Sequence, residues 1–150
     1  MKIMKAEVKD LPIIVDMKIK MFQEVGSAAL LQDNVEEKIQ QTYALLYRVD
    51  KCCHFIAYDE EGQVAACGGA VIKEDVPFCF FKNPCYGYVI DVYCEPEKRR
   101  NGYASRIMTA ILNWLGEKGV HNVKMKPSGT GRMMYEKMGF HDSGEMEKWI

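Results

Sequence analysis

Six residues, Arg99-Arg100-Asn101-Gly102-Tyr103-Ala104, constrain the fold of this chain most. They join an apolar run, residues 87–94, to a helical pattern that opens at Tyr103 and continues to Lys118. A strand, a short basic turn with a glycine and a helix start form an anion cradle. The first helical N–H groups have no partners within the helix and point outward. The helix dipole adds partial positive charge at the same place. Gly102 lets the backbone approach a ligand closely, and the arginines add charge-assisted hydrogen bonds. A pyrophosphate fits such a turn.

The remaining pattern frames that turn. Residues 2–7 read as a strand. Asp10 can cap a helix in which Pro12 takes an early position, and Leu11, Ile14, Val15, Ile19 and Phe22 recur at helical spacing until Gly26-Ser27 ends it. Residues 35–49 form a second helix, with Val35, Ile39, Leu46 and Val49 as core candidates. Residues 53–58 and 64–72 read as strands joined by Asp59-Glu60-Glu61-Gly62, strong hairpin chemistry. Residues 74–86 form a loop, and 87–94 a further strand rich in aromatic and β-branched residues. Tyr103, Ile107, Ile111, Trp114 and Leu115 face inward from the next helix, which stops at Gly119. Residues 120–125 are a strand, Ser128 or Thr130 caps a short helix ending at Gly139, and residues 140–149 supply one or two closing strands. The order β-α-α-β-β-β-α-β-α-β-β over one domain, residues 1–150, is an α/β (α+β) chain with a mixed sheet covered by helices. The basic turn lies at the carboxyl end of a strand, where open α/β sheets place ligands.

A net charge of -1 gives no global field toward nucleic acid or membrane, so any anion site is local. No apolar run approaches ~20 residues and the first residues lack a signal-peptide core, so a cytoplasmic location is expected. Of the six cysteines, Cys52, Cys53, Cys67, Cys79, Cys85 and Cys94, most sit in apolar stretches, where a free thiol acts as a small hydrophobe. If any pair is oxidised, Cys79 and Cys85 are the best candidates. No Cys-x-x-Cys occurs, and no metal site is expected. His54, His121 and His141 are scattered, with no serine or cysteine partner readable. The dinucleotide pattern Gly-x-Gly-x-x-Gly and the phosphate-loop pattern Gly-x-x-x-x-Gly-Lys-Ser/Thr are both absent.

The run from Val92 to Ala104 resembles the acetyl-coenzyme A site of the GCN5-related N-acetyltransferase (GNAT) superfamily, Arg/Gln-x-x-Gly-x-Gly/Ala after a strand and a proline; Arg99, Gly102 and Ala104 fill it. The block Ser128 to Phe140, with Tyr135-Glu136-Lys137-Met138-Gly139-Phe140, is similar to that superfamily's tyrosine-bearing helix, and Glu145-Met146 resembles endings of small bacterial members. Cys94 stands where valine or threonine is usual, which matters little if that position acts through its backbone.

The resemblance implies a GNAT acyl-CoA N-acyltransferase fold whose strands 87–94 and 120–125 splay apart to admit acetyl-CoA, with Lys126-Pro127 suiting the gap. It implies that Val92, Tyr93 and Cys94 pair with the pantetheine arm. It further implies that backbone around Arg100, Asn101, Gly102, Tyr103, Ala104 and Ser105 holds the pyrophosphate, with charge from Arg99 or Arg100. The implied reaction is direct attack of a primary amine, on a small molecule or peptide, upon the acetyl thioester. An alkylammonium of pKa near 10.4 must first lose a proton, at about 4.6 kcal/mol at pH 7. Asp91 and Glu24 are the carboxylates placed to help, and Tyr135 is the phenol placed to donate to the leaving thiolate. Alternatives are a non-catalytic acyl-CoA-binding regulatory or interaction module of the same fold, and a nucleotide-binding domain. Residues 26–34 and 74–86 would shape the acceptor pocket, and such folds commonly form homodimers.

Overall fold

The computed structural model describes residues 1–77 and 83–150. Five strands, β1 (Lys2–Lys5), β2 (Cys52–Tyr58), β3 (Val64–Glu74), β4 (Cys85–Cys94) and β5 (Val123–Lys124), form one sheet in sequence order. The first four are antiparallel and β5 joins β4 in parallel. Helices α1 (Leu11–Glu24) and α2 (Val35–Arg48) cover one face. Helices α3 (Tyr103–Glu117) and α4 (Arg132–Lys137) cover the other. This is the expected mixed α/β architecture, a sheet covered by helices on both faces.

Each face has its own core. Ile107, Met108, Ile111, Trp114 and Leu115 of α3 pack on Ala57, Ala66, Ala70 and Val89. Small strand residues let the helix sit close: a side-chain carbon on Gly68 would come within 2.8 Å of Ile107. On the opposite face Leu11, Ile14, Met17 and Tyr43 pack on Cys52, Ile56, Cys67 and Tyr93. Cys52, Cys53 and Cys67 are buried, unpaired thiols, and burial raises all three, Cys53 to about 12, so they pack as small hydrophobes. Cys85 pairs with no cysteine among the described residues; Cys79, its proposed partner, lies outside them.

Two features of β4 position the site. Its ladder with β5 is confined to Gly87↔Val123 and Tyr88↔Lys124, so the edge from Val89 to Cys94 has no strand beside it on that side. Its ladder with β3 pairs Gly69 with Ile90 but Cys67 with Tyr93, so Asp91 and Val92 together oppose Gly68 in a β-bulge. Asp91 has φ +58° there. The extra residue resets the alternation: Ile90 and Tyr93 pack toward α1 and α2, while Val89, Val92 and Cys94 pack toward α3.

Several expectations need correction. The chain after Gly139 forms no strand. Ion pairs hold it instead, Arg132–Asp142 at 2.6 Å, Lys126–Glu147 at 2.6 Å and Lys124–Glu145. Met146 and Trp149 find nothing to pack on, at 98% and 87% exposed. β5 spans two residues rather than six, because its ladder to β4 ends at Lys124 and Pro127 cannot donate to one. Asp10 does not cap α1; its carboxylate accepts the Glu7 N–H at 2.9 Å and closes the preceding turn. In α2 the fully buried residue is Tyr43, and Val49 is 61% exposed. Ile39 and Leu46 pack against the core as expected, and Tyr43 and Tyr47 join them on the same inward side.

Candidate active site

The turn before α3 takes two left-handed residues, Arg100 at φ +64° and Gly102 at φ +79°. Asn101 braces it from within, its Nδ2 donating to the carbonyls of Lys98 at 3.1 Å and Arg99 at 3.2 Å. No side chain caps α3. The main-chain N–H groups of Arg100, Asn101, Gly102, Tyr103, Ala104 and Ser105 take no backbone acceptor among the described residues. A side-chain carbon on Gly102 would meet nothing within 4 Å, so the space before these donors is open. Tyr103 anchors the helix start by burying its ring in the α3-side core. The row of donors, the helix dipole and the open approach suit an anion such as a diphosphate. The free edge of β4 at Val92, Tyr93 and Cys94 leads to this turn through a single 3-10 turn, Pro96–Lys98.

The two arginines differ in what they hold. Arg99 donates from Nε to the Cys94 carbonyl at 3.0 Å and from Nη2 to Glu24 at 2.6 Å, with its guanidinium carbon 5.6 Å from the Tyr93 ring centre. That hydrogen bond lowers the Glu24 carboxyl below its ordinary value. The structure thus brings Glu24, at the end of α1, to the strand that leads to the cradle. Arg100 is exposed and makes no ion pair among the described residues.

Asp91 is enclosed. Its side chain is 1% exposed and accepts from three donors on three elements: Lys18 of α1, Tyr43 of α2, and His54 Nε2 of β2 at 3.0 Å. Tyr47 O–H reaches His54 Nδ1 at 2.8 Å, and the Cys67 thiol meets the Asp91 carbonyl at 3.3 Å. The Lys18 ammonium also lies 5.7 Å from the centres of the Phe22 and Tyr43 rings. Burial opposes ionisation of Asp91, but the His54 hydrogen bond and the Lys18 charge outweigh it and hold the carboxyl at about 2. Burial first, and then the Asp91 charge, raise Tyr43, which stays a phenol and donates. Burial likewise raises Tyr47. The Tyr47 hydroxyl thus shares a hydrogen bond with Nδ1, and Nε2–H donates to the carboxylate.

Sequence reasoning missed Lys18, Tyr43, Tyr47 and His54. The one local signal was Tyr43 and Tyr47 at i, i+4 spacing on one helix face. Nothing local joins them to a histidine on β2 and an aspartate on β4.

Tyr135 of α4 is ring-buried against Phe140 and Gly131. Its hydroxyl has no partner among the described residues, yet it is not among the enclosed polar atoms left unpaired. It faces a cavity of about 870 Å³ bounded by β5, α4 and the C-terminal tail. Of the candidate catalytic and cofactor-binding residues, Tyr135 alone lines that cavity; Lys126 and Pro127 of the gap line it too, and the cradle lies elsewhere. Burial raises the phenol, which therefore remains a proton donor at neutral pH.

Solved structures share this fold. A predicted acetyltransferase from Clostridium acetobutylicum, solved with acetyl-CoA, superposes with a TM-score of 0.87 at 23% identity, over 99% of this chain and 95% of that one. A GCN5-related N-acetyltransferase from Ralstonia eutropha JMP134 gives 0.87 at 20%, over 99% and 97%. An aminoglycoside 6'-N-acetyltransferase from Acinetobacter haemolyticus gives 0.75 at 17%, over 100% and 97%. Comparison with curated proteins gives no match. At these identities the superpositions carry the fold alone, but residues 19–140, from mid-α1 past the tyrosine helix, match the profile of the acetyltransferase (GNAT) family, and the chain belongs to that family.

Proposed function

We propose that this protein is an acetyl-CoA-dependent N-acetyltransferase acting on a primary amine of a small molecule or peptide. The observation that carries the reading is the run of unaccepted N–H groups from Arg100 to Ser105 beside a β4 edge that β5 leaves free. A diphosphate satisfies the first and an amide-bearing arm the second. Arg100, free of any ion pair among the described residues, supplies charge to the phosphates. Acetyl-CoA when bound supplies an activated acyl group. The Tyr135 hydroxyl, protonated and unpaired, donates to the sulfur as negative charge develops there. Glu24 and Asp91 are each paired with a cation, Arg99 and Lys18, so neither offers a free charge to the acceptor.

Both carboxylates are already paired and held below the range of an efficient base near neutral pH. The acceptor therefore loses its proton to solvent before attack, and the free-amine fraction controls the rate. With an alkylamine, kcat/KM is expected to rise about tenfold per pH unit between about pH 6 and 8, since the amine titrates near 10.4. A plateau reached below pH 7.5, measured with unchanged fold, would assign the proton to an enzymic base instead. The reading as a whole is tested by titrating CoA into the folded protein in a calorimeter, then following thiol release from acetyl-CoA over a panel of primary amines. Saturable heat and amine-dependent thiol release are expected. Absence of heat ends the proposal, and tight binding with no transfer to any amine leaves a binding module.

A further inference from the structure

The Lys18–Tyr43–His54–Asp91 cluster has no substrate-facing atom to offer through Asp91, yet it converges on the most strained residue of β4. Asp91 is a non-glycine residue at φ +58°, a conformation that L-residues adopt at a cost and that aspartate tolerates better than most. It sits in the bulge that switches Val92 and Cys94 to the α3 side. It lies just past the last pair that β5 makes with β4. Lys18 binds Oδ1, and Tyr43 and His54 bind Oδ2, so three charge-assisted bonds pull one short side chain toward α1, α2 and β2. The Cys67 thiol holds the carbonyl of the same residue. A side-chain carbon on Gly69 would come within 2.5 Å of the Cys53 carbonyl and would also strike His54, so β3 is cut away to seat the imidazole.

We infer that Lys18, Tyr43 and His54 are positioning residues for the donor slot: by gripping Asp91 they hold the β4 bulge in its left-handed turn and so fix the free edge at Val92 to Cys94. This rests on the donor-binding reading above and assigns Asp91 a role in shaping the strand rather than in taking a proton. It also ties the two helices of the acceptor side to the strand that holds the donor.

The test is calorimetric titration of CoA, which has no acyl group to transfer, into wild type and Asp91→Ala, Asp91→Gly and Lys18→Met, each checked for cooperative melting. Asp91→Ala is expected to weaken CoA binding about tenfold and Lys18→Met about threefold. Asp91→Gly, which holds φ +58° without strain but has no carboxylate, is expected to recover affinity to within about threefold of wild type. Where Asp91→Ala does not fold, Lys18→Met and Asp91→Gly carry the test. Variants that bind CoA as wild type does, but lose turnover and change the pH profile, overturn the inference and return Asp91 to proton transfer. Asp91→Gly binding no better than Asp91→Ala, or, where that variant does not fold, failing to recover affinity, overturns it too, because charge and not the turn then matters. Wild type failing to bind CoA removes the donor reading itself, and the inference with it.

Discussion

Replacing Asp91 with alanine is expected to cost the fold about 3–5 kcal/mol, the range for removing one partner of a buried ion pair. The substitution strands the Lys18 ammonium, at 18% side-chain exposure, and leaves Tyr43 and His54 donating to nothing. It also leaves alanine at φ +58°, where aspartate was better tolerated. Against a total stability of about 5–15 kcal/mol this is a large fraction. In urea the midpoint should fall by about 2 M at an ordinary slope. A fall under about 0.5 M would mean that the cluster contributes little to the fold. The pH dependence has a definite sign. The folded Asp91 carboxyl titrates at about 2, against about 3.9 unfolded. Its contribution of roughly 2–3 kcal/mol is complete above pH 4 and is lost as pH falls toward 2. Asp91→Asn, which keeps the shape and tolerates the backbone, should flatten that acid limb. Parallel stability curves for the two proteins would rule the carboxylate out as its source.

Tyr135→Phe is expected to lower kcat at least about tenfold while leaving CoA affinity and stability near wild type. The hydroxyl has no partner among the described residues, so its removal breaks none of their hydrogen bonds, and the ring that packs on Phe140 is retained. Phenol and thiol differ by about 1.5 pKa units, so complete proton transfer to the thiolate is uphill by about 2 kcal/mol. The phenol's contribution is therefore a hydrogen bond that strengthens as charge develops on sulfur, which appears in kcat and not in ground-state binding. Equal turnover by wild type and variant, or a large drop in CoA affinity with kcat unchanged, would take Tyr135 out of the chemistry.

The parts of this protein that were legible in the sequence are those whose chemistry is local. Gly102 and the start of α3 lie within a few residues of each other, and a left-handed glycine before an amphipathic helix carries its own signature. The helices α1, α2 and α3 follow from apolar spacing, and the β2–β3 hairpin from its turn residues. The closing strands failed because alternation in residues 140–149 is too sparse to bury one face, and Asp142, Glu145 and Glu147 pair with cations instead. Asp91 was singled out as a residue facing the reaction, but a bulge cannot be read from one strand alone. It exists only as a mismatch between two, here Gly68 against Asp91 and Val92.

By itself the chain's sequence determined a glycine-led helix N-terminus, a tyrosine on a short helix further on, and the order of elements between them, because backbone conformation and apolar periodicity act over a few residues. Only the tertiary structure decided which charges are free and which are committed. Arg99 turned to Glu24, and Lys18, Tyr43 and His54 closed on Asp91, through contacts between residues 37 to 75 positions apart whose energies depend on burial that no local pattern encodes.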